Sequence, residues 1–138
     1  MIRPMNAPFR EKIYITTPLY YVNAKPHIGH AYSTILSDAL SVFYRQRGLE
    51  VRVLTGTDHH GEKIANIARK ENKTPREFSD AVSEQFRSAW QTIGLRPDVF
   101  YKTTSPSHYA LVTKALQDLK DRGEIYFESY KGKFVPTI

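Results

Sequence analysis

Cysteine is absent from all 138 residues, which excludes disulfides and thiolate metal sites and fits a reducing, cytoplasmic setting. No apolar run approaches the roughly 18 residues that a membrane span requires, so no membrane partner is expected. The opening "MIRPMNAPFR" contains arginine but no acid, and it lacks the apolar core of a secretory signal. Residues 1–11 therefore read as a flexible tail. Internal repeats and low-complexity tracts are also missing. What the chain does have is base: 20 Lys and Arg stand against 14 Asp and Glu, a net charge of +6. Such an excess suits an anionic partner, a nucleotide or RNA, or simply serves solubility. With 41% apolar residues, the length suits one modest core.

Hydrophobic spacing then divides the chain. "KIYITT" (12–17) is a short β-rich run, followed by the turn-prone "NAKP". From His27 the apolar residues Ile28, Tyr32, Ile35, Leu36, Ala39, Leu40 and Phe43 recur at helical spacing until Gly48, which predicts a helix. "EVRVLTGT" (50–57) reads as a second strand and "GEKIANIARK" (61–70) as a short helix. Thr74, Pro75 and Glu77 form a capping box with proline at the first helical position, ahead of a stripe at Phe78, Val82, Phe86, Trp90 and Ile93. That stripe is read as packing. "DVFYKTT" (98–104) is a third strand, and Ser105-Pro106 opens a further helix with a stripe at Tyr109, Val112, Leu116 and Leu119. The remainder, 124–138, resembles two short strands around "KG".

This alternation predicts an α/β fold with a parallel sheet and right-handed crossovers. Ligands of such folds lie beyond the carboxyl ends of the strands, where helix N-termini present free N–H groups. "PLYYVNAKPHIGH" leads from the first strand into its helix, so His27 and His30 fall at that edge, on one face of the first turn. Ile28 is expected to turn toward the sheet, and Gly29 removes a side chain where something must come close. The pair is built like an anion site. A solvated face or half of a metal site are the alternatives, and no third ligand stands nearby for zinc. Asp58, at the end of the second strand, reads by itself as a capping or turn aspartate ahead of a glycine-containing turn. Leu19 and Tyr21 read as core, placed in the loop after strand one. His59, His60 and Glu62 are not expected to hold a metal, because adjacent histidines there point in opposite directions.

The literal "HIGH" at 27–30, followed after one helix by "GTDHHGEKI" and then by "LRPDVFYKTT", resembles the class I aminoacyl-tRNA synthetases, and within them the methionyl-tRNA synthetases. The similarity runs from about 12 to 133. It implies a Rossmann-like (HUP-type) fold and a methionine–tRNA ligase: methionine is activated by ATP to methionyl-adenylate and then passed to tRNA. It further implies that His27 and His30 act on the ATP phosphates and that Gly29 lets the nucleotide pack against the helix start. Asp58 would hold the amino acid's ammonium group, and Leu19 and Tyr21 would line the methionine pocket. ATP would arrive with Mg2+, and no zinc is expected. A non-catalytic nucleotide- or RNA-binding module and a small HxGH adenylyltransferase are the other readings.

The class's lysine-rich "KMSKS" loop does not occur in the sequence. The chain is accordingly expected to be the first half of the Rossmann-like sheet over 12–123, truncated at the start of the connective insertion (124–138), and to lack full activity alone. Its first strand would then expose an unpaired edge, an invitation to self-association.

Overall fold

The structure, a computed structural model, describes residues 12–132. One unit runs as far as Ser105 and a second begins at Pro106. In the first, the order is β1 (Lys12–Tyr21), α1 (Ile28–Gln46), β2 (Glu50–Asp58), α2 (Glu62–Lys70), α3 (Pro75–Thr92) and β3 (Val99–Lys102). The three strands are parallel, in the order β1-β2-β3. Parallel neighbours cannot be joined by a tight turn, so α1 provides one crossover and α2 with α3 the other.

β1 is longer than the 12–17 run expected from the sequence and continues through Pro18 to Tyr21. Thr16 pairs with Leu54 and Leu19 with Gly56, so Thr17 and Pro18 together face Thr55. Proline has no N–H to give the ladder, and an extra residue lets the strand pass it. Because side chains alternate, this bulge reverses the parity of everything beyond it. The more buried positions are 13, 15 and 17 before it, then 20 and 22 after it. Leu19 and Tyr21 therefore lie within β1, not in a loop, and both are half-buried rather than core. Thr17 Oγ1 meets Thr55 Oγ1 at 2.6 Å across the bulge.

α1 faces the opposite way from its apolar stripe. Its buried residues are Thr34, Ser37 and Ser41, whereas Tyr32, Ile35, Leu36, Leu40 and Phe43 are exposed. Ile28 does not turn to the sheet; it is 87% exposed. The hydroxyls can be buried because they satisfy themselves on their own helix. Thr34 Oγ1 donates to the His30 carbonyl (3.2 Å), Ser37 Oγ to that of Ser33 (2.9 Å) and Ser41 Oγ to that of Asp38 (2.8 Å). Small residues also let the helix approach the strands closely. At its far end Arg45 Nη2 donates to Asp98 Oδ2, which also accepts the Val53 N–H, both at 2.7 Å. One carboxylate thereby ties α1, β2 and the approach to β3.

α3 follows its sequence signals. Glu77 N–H donates to Thr74 Oγ1 (3.2 Å), and Thr74 N–H to Glu77 Oε2 (2.8 Å). Phe78, Val82, Phe86 and Trp90 are buried with Tyr20, Val22, Ile64, Ala68 and Leu95 in the main core. Ile93, assigned to the same stripe, caps the helix and is half exposed. β2 and β3 approach so closely at Gly56 that a Cβ there would overlap the Tyr101 carbonyl.

The second unit holds α4 (Pro106–Asp121), none of whose residues is buried. Residues 124–132 form no regular structure, so the first of the two short strands expected there is not formed. Without a paired partner strand the β-rich letters of "EIYFESY" have no ladder to join. The second expected strand lies largely outside the described residues, as does the tail at 1–11.

Candidate active site

Two adjacent strand ends and one helix start meet at the carboxyl edge of the sheet. His27 closes the turn with extended backbone (φ −137°, ψ 175°) and caps α1. Its Nδ1 accepts the Gly29 N–H at 3.1 Å, while His30 Nδ1 accepts the His27 N–H at 3.3 Å. The two rings stack with centroids 3.8 Å apart. A ring nitrogen that accepts a backbone N–H carries no proton, so in each neutral imidazole the proton sits on Nε2. Both side chains thus become Nε2–H donors at the positive tip of a helix.

Gly29 has a second task that the sequence did not reveal. A Cβ there would sit 3.0 and 3.1 Å from Cε1 and Nδ1 of His27, so glycine leaves room for the capping imidazole itself. His30 is partly buried against Tyr20 and Phe86, each ring centroid 5.0 Å away. Its pKa is lowered, first by burial and then by the neighbouring His27, which keeps it neutral near pH 7. Tyr20, which lies outside every motif of the sequence, fixes this helix start. Its hydroxyl donates to the His30 carbonyl at 3.1 Å and lies 2.8 Å from Thr34 Oγ1. Only the parity change at Pro18 turns Tyr20 inward, and that change is not visible in a simple alternation count.

On the neighbouring strand, Asp58 ends β2 and is the register partner of Tyr21, with Leu19 opposite Gly56. Tyr21 and Asp58 are therefore side by side, as are His27 and His30. The Tyr21 hydroxyl rests against Gly61, whose φ of +136° and missing side chain make that contact. Asp58 Oδ1 accepts from Thr103 Oγ1 (3.3 Å) and from the His60 N–H (3.4 Å). His59 is 4% exposed and His60 exposed, the opposed orientation expected of adjacent residues. The His59 ring lies between Thr57 Oγ1 (2.9 Å) and Thr104 Oγ1 (3.0 Å). Burial lowers its pKa, against a raising effect from Asp80. No group of three His, Asp or Glu side chains able to hold a metal occurs among the described residues.

A separate cavity of about 170 Å3, lined by Arg87, Trp90, Gln91, Leu95, Arg96 and Phe100 among others, opens beside the amino end of β3. That is the wrong end of a parallel sheet for this kind of ligand.

The parallel three-stranded sheet with flanking helices, two imidazoles at the first helix start and a carboxylate at the second strand end, has the Rossmann-like fold of the class I synthetases. Residues 13–138 match the family model "tRNA synthetases class I (M)", and the chain belongs to that family. It is 43% identical over 121 residues to a methionine–tRNA ligase of Campylobacter jejuni, covering 88% of this chain and 19% of the relative. A Thermosynechococcus vestitus methionine–tRNA ligase is 46% identical over 118 residues, 86% of this chain and 22% of its own. The fold matches Mycobacterium tuberculosis methionyl-tRNA synthetase in complex with methionyl-adenylate, with a TM-score of 0.79 and 33% identity over 82% of this chain and 22% of that one. The chain thus spans about a fifth of the length of the curated relatives it matches.

Proposed function

We propose that this chain carries the ATP- and methionine-recognising part of a methionine–tRNA ligase acting in the cytoplasm. The observation that carries the reading is the reciprocal cap of His27 and His30, which commits both Nδ1 atoms to the backbone and leaves two Nε2–H groups as donors. In the reaction a carboxylate oxygen of methionine attacks the α-phosphorus of ATP, the bond to the β-phosphate oxygen breaks, and pyrophosphate departs. A ribose hydroxyl of the 3′-terminal adenosine of tRNA then attacks the methionyl carbonyl, the acyl–phosphate bond breaks, and AMP departs. Such a step asks the protein for positioning and for donors where negative charge grows. His27 and His30 supply those donors, and Gly29 keeps the helix start open to the nucleotide. Asp58 Oδ2, which accepts no hydrogen bond among the described residues, takes the ammonium group of methionine. Leu19 and Tyr21 form an apolar and aromatic wall suited to a thioether. Mg2+ would come with ATP, held chiefly by phosphate oxygens and water.

ATP binding by calorimetry tests the histidines. We expect weak binding by the 138-residue chain and its loss in His30→Ala; equal affinity in the two would show the imidazoles idle. Methionine-dependent exchange between pyrophosphate and ATP tests the ligase chemistry. With no KMSKS loop in its sequence, the chain alone is expected to give no measurable exchange.

A further inference from the structure

Asp58 does not orient its own carboxylate. Thr103, just past β3 and 8% exposed, is anchored by its N–H to the Thr57 carbonyl at 3.3 Å. Its Oγ1 accepts the His59 N–H at 2.9 Å. An amide can only donate, so the Thr103 hydroxyl must place its own proton elsewhere. The acceptor within reach is Asp58 Oδ1, 3.3 Å away. The His60 N–H reaches the same oxygen. One carboxylate oxygen is thus held by two donors and the other by none among the described residues, so negative charge is presented in one direction.

The frame behind Thr103 is itself braced. The His59 ring is clamped between Thr57 and Thr104, and Thr57 Oγ1 also lies 2.8 Å from Ser83 Oγ on α3. β2, the 103–104 segment and α3 are therefore joined by one chain of hydroxyls running through a buried imidazole. Such a chain has little freedom to rotate, because each member would leave a buried polar group unsatisfied.

We propose that Thr103 is a positioning residue for amino-acid recognition: its hydroxyl, oriented by the His59 amide, turns Asp58 so that Oδ2 faces the substrate's ammonium group. This rests on the assignment of Asp58 given above, and its test separates the two. The probes are a non-hydrolysable methionyl-adenylate analogue and the same molecule lacking its α-amino group, both titrated into the 138-residue chain by calorimetry. The wild type binds the amino analogue more tightly. Thr103→Val, nearly isosteric, loses roughly tenfold on the amino analogue, the order expected for one hydrogen bond to a charged group. It leaves the desamino analogue unchanged, and Thr103→Ser restores the amino analogue to within about twofold of wild type.

Equal weakening of both analogues in Thr103→Val would make Thr103 merely structural and overturn the proposal. No weakening of either would overturn it as well, while Asp58 kept its role. A wild type that binds the two analogues alike, or neither, removes the ammonium assignment and the proposal with it. Should Thr103→Val fail to fold, Thr103→Ala carries the same readout.

Discussion

Replacing Gly29 with alanine separates helix stability from ligand binding in a way that follows from two opposed magnitudes. Alanine favours a helix over glycine by up to about 1 kcal/mol. The added Cβ would stand 3.0 Å from His27 Cε1 and 3.1 Å from Nδ1. At that distance something must give, and the freest body is the exposed His27 ring. Swinging it away breaks the cap to the Gly29 N–H, a loss of about 1 kcal/mol for a typical N-cap. The two contributions nearly cancel, so the melting temperature should move by no more than a few degrees. ATP binding does not cancel. The displaced imidazole no longer stacks on His30 or caps the helix start, and one hydrogen bond to a charged phosphate is worth about 1.5–3 kcal/mol. Affinity should fall roughly 10- to 100-fold. Thermal melts and calorimetric titration with ATP on the same preparation decide it. The reasoning fails if Gly29→Ala binds ATP like the wild type, or if the variant unfolds many degrees earlier.

Gly56→Ala should act on stability alone. The new Cβ would overlap the Tyr101 carbonyl, a backbone atom that cannot swing aside, so urea denaturation should show a loss of about 1–3 kcal/mol or more. Acid should destabilise the fold early. His59 and His30 both have pKa values lowered from about 6.5, so the folded state binds fewer protons than the unfolded one, and their contribution is full above that pH and fades as pH falls. Melting temperature should drop as pH falls below about 6.5, less steeply in His59→Asn, with His30 contributing to the remaining slope; parallel slopes would refute the assignment. Glu77 and Asp80, both lowered, lose their contributions only at more acid pH. The outer edge of β1 pairs with no strand among the described residues, and Tyr14 on it is 63% exposed. Light scattering after size exclusion should show self-association, reduced by Tyr14→Lys; a clean monomer that unfolds cooperatively would contradict it.

The amino-acid sequence by itself determined the features whose energies are local. Thr74, Pro75 and Glu77 mark the start of α3 because a capping box satisfies its own backbone groups wherever the helix lies. The order of strands and helices, and the placing of His27 and His30 at a strand-to-helix junction, follow from spacing in the same way. Asp58 at the end of β2 was legible too. Tertiary structure decided everything that depends on which surface a neighbour offers. α1 carries a strong apolar stripe, yet it buries Thr34, Ser37 and Ser41, since the strands demand close approach and small hydroxyls can satisfy themselves on the helix. The bulge at Thr17–Pro18 reverses the side-chain parity of β1, turning Tyr20 against His30 and setting Tyr21 beside Asp58. The hydroxyl chain through His59 joins residues 57, 59, 83, 103 and 104, which only folding brings within bonding distance. Periodicity records the shape of one segment, whereas burial and polar pairing are properties of two surfaces in contact.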